Sequence, residues 1–128
     1  MNDTRPLALI IEDNKDEVLI FTKALQVAGF EVEGLRTGEE ALERLQEIVP
    51  DIVLLDLHLP RITGADILRQ IKGAERLATT QVLVLTGDLQ IADRLRGEAD
   101  LMLIKPIGFT ELIRVASGFV PPAGADDE

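Results

Sequence analysis

The chain has 128 residues, no cysteine, and a formal net charge of −10 from 23 acidic and 13 basic residues. This length suits one domain, and the hydrophobic share of 46% is enough for one core. The missing cysteines exclude disulfides and thiolate metal sites, and so acidic a surface disfavours direct binding to a nucleic-acid backbone.

Apolar runs in the sequence are short, as in LALII and LMLI, and fall far below the roughly 20 residues of a membrane helix. The polar start, MNDTRP, lacks the basic and then apolar pattern of a signal peptide. We therefore expect a cytoplasmic protein that makes no membrane contact.

The first third of the chain predicts two strands with a helix between them. The run LALII at 7–11 predicts a buried strand, and apolar spacing predicts a helix over 15–28. Asn14 suits the N-cap of that helix, and Gly29 suits the left-handed residue past its end. A weaker strand is predicted over 30–35.

The second helix is predicted from a capping box at 37–40, TGEE. Pro50 is expected to end this helix, because proline cannot continue a helical hydrogen-bond ladder. Four residues are expected to form its buried side: Ala41, Leu42, Leu45 and Ile48.

The stretch at 51–64, DIVLLDLHLPRITG, predicts the central strand of the domain. Its apolar run is typical of a strand buried on both faces and leads directly into Asp56. A turn at Gly64 is expected to close the segment, and a helix is predicted over 65–71, with Ile67, Leu68 and Ile71 on its inner face.

The last part of the chain predicts two more strand and helix pairs. A fourth strand over 81–85 is followed by a short helical segment at about 89–96, with Gly97 as its stop. A fifth strand is predicted over 101–104 and a last helix over 109–117. Strands that alternate with helices in this way predict an α/β fold, a doubly wound parallel sheet with helices on both faces.

The predicted domain spans residues 1–120, and the tail at 121–128 is expected to be disordered because it combines proline, small residues and acids. The initial methionine and this tail favour a complete or N-terminal unit over a piece of a larger regulator or hybrid kinase.

Polar side chains follow four of the predicted strands. Glu12 and Asp13 follow the first strand, Asp56 the third, Thr86 the fourth and Lys105 the fifth. Because the carboxyl ends of parallel strands open on one edge of a sheet, we expect these side chains to converge in one shallow cleft.

Three crowded carboxylates repel one another, and a hard divalent cation such as Mg²⁺ relieves that repulsion. The three carboxylates carry a formal charge of −3, which Mg²⁺ and Lys105 together balance. The cleft is then suited to one more anion, such as a phosphoryl group.

Four sequence pieces resemble the receiver domain of two-component response regulators. They are IIEDN at 10–14, DIVLLDLHLPRITG at 51–64, VLTG at 84–87 and LIKP at 103–106. Together these pieces span nearly the whole predicted domain. The resemblance implies the chemotaxis-type fold, a five-stranded sheet with strand order 2-1-3-4-5.

The resemblance also implies a phosphoacceptor and a metal site. Asp56 would attack a phosphohistidine on a sensor histidine kinase or a phosphotransfer protein. Asp13, Asp56 and the backbone carbonyl of His58 would bind Mg²⁺ directly, and Glu12 would act through a coordinated water.

Further roles implied by the resemblance lie on the fourth and fifth strands. Lys105 would pair with phosphoryl oxygens, and Thr86 would donate its hydroxyl to one of them, although Thr86 also suits an N-cap of the next helix. Gly87 would leave room for the phosphoryl donor, and Pro106 resembles the family's cis-proline, which shapes the loop that holds the lysine.

Two features depart from the family pattern. Met102 stands where many receivers carry the Tyr or Phe that changes position on phosphorylation. The separation between Thr86 and Lys105 is short for the family, which indicates a short fourth helix or short loops. His58 and Asp88, each two residues past a site residue, are candidates for tuning the access of hydrolytic water.

We therefore expect a signalling domain that phosphorylates and dephosphorylates itself, and not a turnover enzyme. It would act on an unknown downstream protein or by a further phosphotransfer, and a homodimer stays open. One alternative is a receiver-like interaction module that binds partners independently of phosphorylation. Another is an aspartyl-phosphate hydrolase, against which His58 counts because such enzymes usually carry a second acid at that position.

Overall fold

A computed structural model describes residues 5–121, and the predicted tail lies outside the described residues apart from Pro121. Five strands alternate with five α-helices, and a short 3-10 turn, Glu75–Leu77, lies before the fourth strand. The strands are β1 Leu7–Ile11, β2 Glu31–Leu35, β3 Ile52–Asp56, β4 Gln81–Thr86 and β5 Leu101–Ile104. The helices are α1 Lys15–Ala28, α2 Gly38–Leu45, α3 Gly64–Gly73, α4 Leu89–Leu95 and α5 Phe109–Ser117.

The five strands form one parallel sheet with the order β2-β1-β3-β4-β5. Neighbouring strands pair in a register that aligns their ends. Ile11 pairs with Leu35 on one side and with Leu55 on the other, and Thr86 pairs with Ile104. The predicted doubly wound sheet, its strand order and its short fourth helix are confirmed.

Each face of the sheet packs against its own set of helices. Alternate residues of a strand point to opposite faces, so Ile10 packs on the α1 and α5 side while Ile11 packs on the side of α2, α3 and α4. All five residues of β3 are buried, which places the central strand between both cores. Burying each large aliphatic side chain contributes about 1.5–3 kcal/mol relative to leaving it exposed.

The predicted caps of α1 are present. The Asn14 side chain accepts a hydrogen bond from the Glu17 N–H, and Gly29 ends the helix in the left-handed region with φ 114°. The strand β2 begins one residue later than predicted, at Glu31. Phe30 is fully buried, and its N–H donates to the Leu25 carbonyl, so this residue belongs to the end of the helix.

The capping box of α2 forms only in part. Thr37 accepts the N–H of Glu40, as predicted, but the Glu40 carboxylate accepts the N–H of Arg36 at 3.3 Å. The return bond therefore reaches one residue before the cap.

The predicted end of α2 at Pro50 is wrong. The helix stops at Leu45, and Ile48 lies beyond it. The chain tightens there through short-range bonds, such as the Glu47 N–H to the Arg44 carbonyl. The Arg76 guanidinium donates to the carbonyls of Leu45 and Ile48. It therefore satisfies two acceptors that a longer helix would have paired with its own backbone N–H groups.

The predicted turn at Gly64 is also wrong, since Gly64 is the first residue of α3 and Thr63 is its N-cap. A Cβ on Gly64 would lie 2.5 Å from the Leu57 Cα and 2.7 Å from the Asp56 carbonyl oxygen. Glycine is therefore required by the close approach of the helix to the end of β3. On the same side of the sheet, α4 ends before Gly97, which lies in the turn that follows.

Among residues 5–121, no helix combines the length and the apolar composition that a membrane crossing requires.

Candidate functional site

Three acidic side chains meet at the carboxyl ends of β1 and β3. Glu12 directly follows β1, Asp13 comes next, and Asp56 is the last residue of β3. One carboxylate oxygen from each lies within 4.8 Å of the others. Glu12 and Asp56 are buried, with 2% and 3% of their surface exposed, while Asp13 is exposed. The cleft therefore brings together the carboxylates that the sequence placed at this edge.

Hydrogen bonds fix the loop that carries Glu12 and Asp13. The Glu12 N–H donates to the Leu35 carbonyl at 3.0 Å, and one Glu12 carboxylate oxygen accepts the Asn14 N–H at 3.1 Å. The Arg36 guanidinium donates to the Asp13 carbonyl through Nε and Nη2, at 3.3 and 3.1 Å. No sequence pattern predicts this contact of Arg36, because it joins two segments that are distant along the chain.

The backbone after β3 holds Asp56 in place. The His58 N–H donates to Asp56 Oδ1 at 3.0 Å, and the Leu57 N–H donates to the Leu85 carbonyl at 3.2 Å. The other Asp56 oxygen, Oδ2, lies 3.5 Å from Lys105 Nζ. The His58 side chain is exposed. Gly64 packs its backbone against this segment, so α3 begins directly beside the acidic cluster.

The ammonium of Lys105 lies among three carboxylates. Its Nζ is 2.9 Å from Glu17 Oε1, 3.5 Å from Asp56 Oδ2 and 3.7 Å from Glu12 Oε1. Partial burial lowers the pKa of Lys105, but the hydrogen bond to Glu17 and the charges of Asp56 and Glu12 raise it above its usual value. Sequence reasoning missed Glu17, which lies on α1 and not after a strand.

Lys105 also connects the ends of β4 and β5. Its backbone N–H donates to the Thr86 carbonyl at 2.8 Å, and the Lys105–Pro106 peptide bond is cis. A Cβ on Gly87 would make only ordinary contact, 3.8 Å from the Lys105 Cβ, so packing does not require glycine there.

The hydroxyl of Thr86 is fully buried and accepts the Asp88 N–H at 3.0 Å. Asp88, not Thr86, is the N-cap of α4, because its side chain accepts the N–H groups of Gln90 and Ile91. The N-cap interpretation of Thr86 is therefore wrong. A hydroxyl that accepts one bond keeps its hydrogen to donate to a ligand. On β5, the half-buried Met102 packs against the core beneath α2, α3 and α4.

One buried oxygen of the cleft has no hydrogen-bond partner among the described residues. This atom is Glu12 Oε1. Burial raises the pKa of Glu12 to about 8, and the charges of Asp56 and Glu17 add to the rise, whereas the Asn14 N–H and Lys105 oppose it. Burial without a hydrogen-bond partner destabilises the ionised form of Glu12, and a cation bound beside it would offset that cost. An all-oxygen donor set of this kind suits Mg²⁺, so the residues present fit that ion.

Known proteins resemble this chain in sequence and in structure. A family model described as the response regulator receiver domain matches residues 8–117. The "Probable methanogenesis regulatory protein FilR2" of Methanothrix harundinacea is 38% identical over 119 residues, which covers 84% of this chain and 77% of that protein. The polar-differentiation response regulator DivK of Brucella ovis is 28% identical over 118 residues and covers 90% and 96%.

Solved structures show the same fold. The chemotaxis response regulator CheY4 of Vibrio cholerae superposes with a TM-score of 0.82 at 24% identity, over 91% of this chain and 99% of that one.

Proposed function

This chain belongs to the response regulator receiver domain family of two-component systems, and we propose that Asp56 is its phosphoacceptor. The donor is a phosphohistidine on a sensor histidine kinase or on a phosphotransfer protein. The observation that carries this proposal is the position of Asp56. It is buried at the end of the central strand, in reach of two further carboxylates and 3.5 Å from the Lys105 ammonium.

The proposed reaction moves one phosphoryl group. A carboxylate oxygen of Asp56 attacks the phosphorus, and the P–N bond to the donor imidazole breaks with its electron pair going to the nitrogen. The imidazole then takes a proton from water, and no proton has to leave Asp56 because a carboxylate is already a nucleophile. Such transfers depend mainly on positioning and on charge stabilisation.

The side chains around Asp56 supply that stabilisation. Lys105 pairs with phosphoryl oxygens, and the Thr86 hydroxyl donates to one of them. Asp13, Asp56 and the His58 carbonyl would hold Mg²⁺, with Glu12 acting through a water. When bound, the ion neutralises the carboxylates and polarises the phosphoryl group. Gly87 leaves the entrance open to the donor, and Pro106 shapes the loop that carries Lys105.

We propose a signalling role and not substrate turnover. The receiver spans residues 1–120, with 121–128 as a tail outside it, and works in the cytoplasm. Phosphorylation adds about two negative charges, which changes contacts with a downstream protein or a second copy. Met102 in place of the aromatic residue, together with the short α4, favours a readout that differs from the family's usual one.

His58 and Asp88 are proposed to tune the lifetime of the phosphoryl group. The exposed His58 side chain lies two residues past Asp56, where it can affect the approach of water. Asp88 is committed to capping α4, so its effect would come through the position of Thr86. An unchanged rate of phosphoryl loss in His58→Ala would remove this role for His58.

Intact mass after incubation with a small phosphodonor and Mg²⁺ tests the function. We expect a transient gain of one phosphoryl group by the wild type and by Asp51→Asn, an equivalent change at the other end of β3, and no gain by Asp56→Asn. No gain by the wild type would favour the phosphorylation-independent interaction module. Rapid turnover of many phosphoesters would favour the hydrolase.

A further inference from the structure

The nearest partner of Lys105 is a residue that the phosphotransfer chemistry does not use. Glu17 Oε1 accepts a hydrogen bond from Lys105 Nζ at 2.9 Å, whereas the distances to Asp56 and Glu12 are 3.5 and 3.7 Å. The bond joins residues 88 positions apart, from the first turn of α1 to the end of β5. The ammonium is thus directed towards α1.

The N-cap of α1 fixes the position from which Glu17 reaches the lysine. The Asn14 side chain accepts the Glu17 N–H at 2.9 Å, so the backbone of Glu17 is held at the mouth of the cleft. Its side chain is 36% exposed and that of Lys105 is 26% exposed. The carboxylate of Glu17 can therefore turn out into water, which the buried carboxylates of Glu12 and Asp56 cannot do.

Glu17 also changes the charge of the cleft. With Glu17 present, the cleft holds four carboxylates, three of them near Lys105, so Mg²⁺ and Lys105 together leave one formal negative charge instead of none. A phosphoryl group that arrives on Asp56 brings further negative charge. Lys105 can neutralise that charge fully only when it no longer shares its own with Glu17.

We propose that Glu17 competes with the phosphoryl group for Lys105. Its carboxylate keeps the Lys105 ammonium paired until phosphoryl oxygens replace it. This inference rests on the proposed function, because it concerns the same lysine and the same phosphoryl group. Glu17 acts on the reaction only through Lys105 and is a positioning residue. Its effect is a brake on phosphorylation, since each transfer must first separate Lys105 from Glu17.

The size of the brake follows from the exposure of the pair. Partly exposed ion pairs contribute about 1 kcal/mol at most, which corresponds to about a fivefold change in rate. Because solvent-exposed charges are screened by salt, the brake should weaken as ionic strength rises. Glu17 therefore modulates phosphorylation and does not prevent it.

The test compares Glu17→Gln with Asp16→Asn and the wild type. Asp16 is exposed in the same helical turn, and its substitution removes the same charge without touching Lys105. With a small phosphodonor and saturating Mg²⁺, we expect Glu17→Gln to gain its phosphoryl group about fivefold faster than the wild type at low salt. Asp16→Asn should stay within about twofold, and the advantage of Glu17→Gln should shrink at high salt.

A second measurement detects the pair without phosphodonor or Mg²⁺. The lysine ammonium groups are observed by nitrogen NMR, and the Lys105 signal is assigned by its loss in Lys105→Met. In the wild type and in Asp16→Asn, the Lys105 ammonium should be protected from hydrogen exchange with water. That protection should be lost in Glu17→Gln.

Equal rates in Glu17→Gln and Asp16→Asn, or a slower Glu17→Gln, would overturn the brake while leaving the phosphoacceptor role of Asp56 intact. A Lys105 signal that is unchanged in Glu17→Gln would overturn it as well. If neither the wild type nor Glu17→Gln gained a phosphoryl group, the proposed function would fail, and the brake with it.

Discussion

At both ends of the strands, acidic and hydroxyl side chains bind backbone groups, but at the carboxyl ends the carboxylates also face one another. At the amino-end edge, Asp51 accepts the Leu7 N–H at 2.8 Å, the buried Thr80 hydroxyl donates to the Pro50 carbonyl at 2.8 Å, and Asp100 accepts the Val82 N–H at 2.7 Å. The pair Lys72–Asp100 completes that edge.

The carboxyl-end edge differs because charged side chains are crowded together there. Glu12 and Asp56 are buried close together, Glu12 Oε1 lacks a hydrogen-bond partner among the described residues, and the Lys105 ammonium is shared by three carboxylates. Buried polar groups stabilise a fold when they are paired and destabilise it when they are not. One edge of the sheet therefore supports stability, and the other is left ready for a cation and a phosphoryl group.

The largest expected change in the free energy of unfolding is a difference between substitutions at the two ends of α3. Gly64 begins α3 against the backbone of Asp56 and Leu57, and Gly73 ends the helix with nothing within 4 Å of an added Cβ. Gly64→Ala should lower the free energy of unfolding by about 3 kcal/mol, because backbone must move to admit the methyl group. Gly73→Ala should be neutral or stabilising by up to about 1 kcal/mol. Urea unfolding of both variants measures their free energies of unfolding. Equal free energies would contradict the close approach of α3 to β3 at Gly64.

A smaller effect is expected at the amino-end edge. Thr80→Val keeps the shape of a fully buried side chain but removes the donor to the Pro50 carbonyl. We expect a loss of about 1–2 kcal/mol in the free energy of unfolding and an unchanged rate of phosphorylation. The exposed neighbour provides the control, since Thr79→Val should stay within about 0.5 kcal/mol of the wild type.

Removing a carboxylate should change the free energy of unfolding in opposite directions at the two edges of the sheet. Without Mg²⁺ at neutral pH, Glu12→Gln should raise the free energy of unfolding by about 1 kcal/mol. Burial and the Asp56 charge raise the pKa of Glu12 to about 8, so the wild type must protonate this carboxylate on folding, whereas the amide is already neutral. Asp51→Asn should lower it, since that carboxylate accepts a backbone N–H. Mg²⁺ should stabilise the wild type by mass action and narrow its difference from Glu12→Gln. A destabilised Glu12→Gln in metal-free buffer would contradict the contrast between the edges.

The sequence predicted the carboxyl-end edge better than the rest of the molecule. Asp56 and Lys105 each follow an apolar run, and parallel strands necessarily bring such positions to one edge. Glu17 carried no such signal, because it lies within a helix and its partner is distant along the chain. The fourth carboxylate could be found only once α1 and β5 were placed in space.

Local signals failed where a tertiary contact overrides them. Gly64 was expected to form a turn because glycine is typical of turns, whereas here its missing side chain lets α3 touch β3. Pro50 was expected to end α2, but Arg76 binds the carbonyls of Leu45 and Ile48 and the helix ends earlier. Similarly, the role of Asp51 depends on a backbone N–H that a neighbouring strand supplies.

The site of phosphorylation is the most direct test of the account. Borohydride reduces an aspartyl phosphate to homoserine, so the phosphorylated wild-type protein can be reduced, digested and examined by peptide mass spectrometry. We predict homoserine at residue 56 and at no other acidic position. A phosphoryl group recovered on His58, homoserine at residue 13, or 2-amino-5-hydroxypentanoic acid (the reduction product of a glutamyl phosphate) at residue 12 or 17 would contradict the assignment of Asp56 as the acceptor.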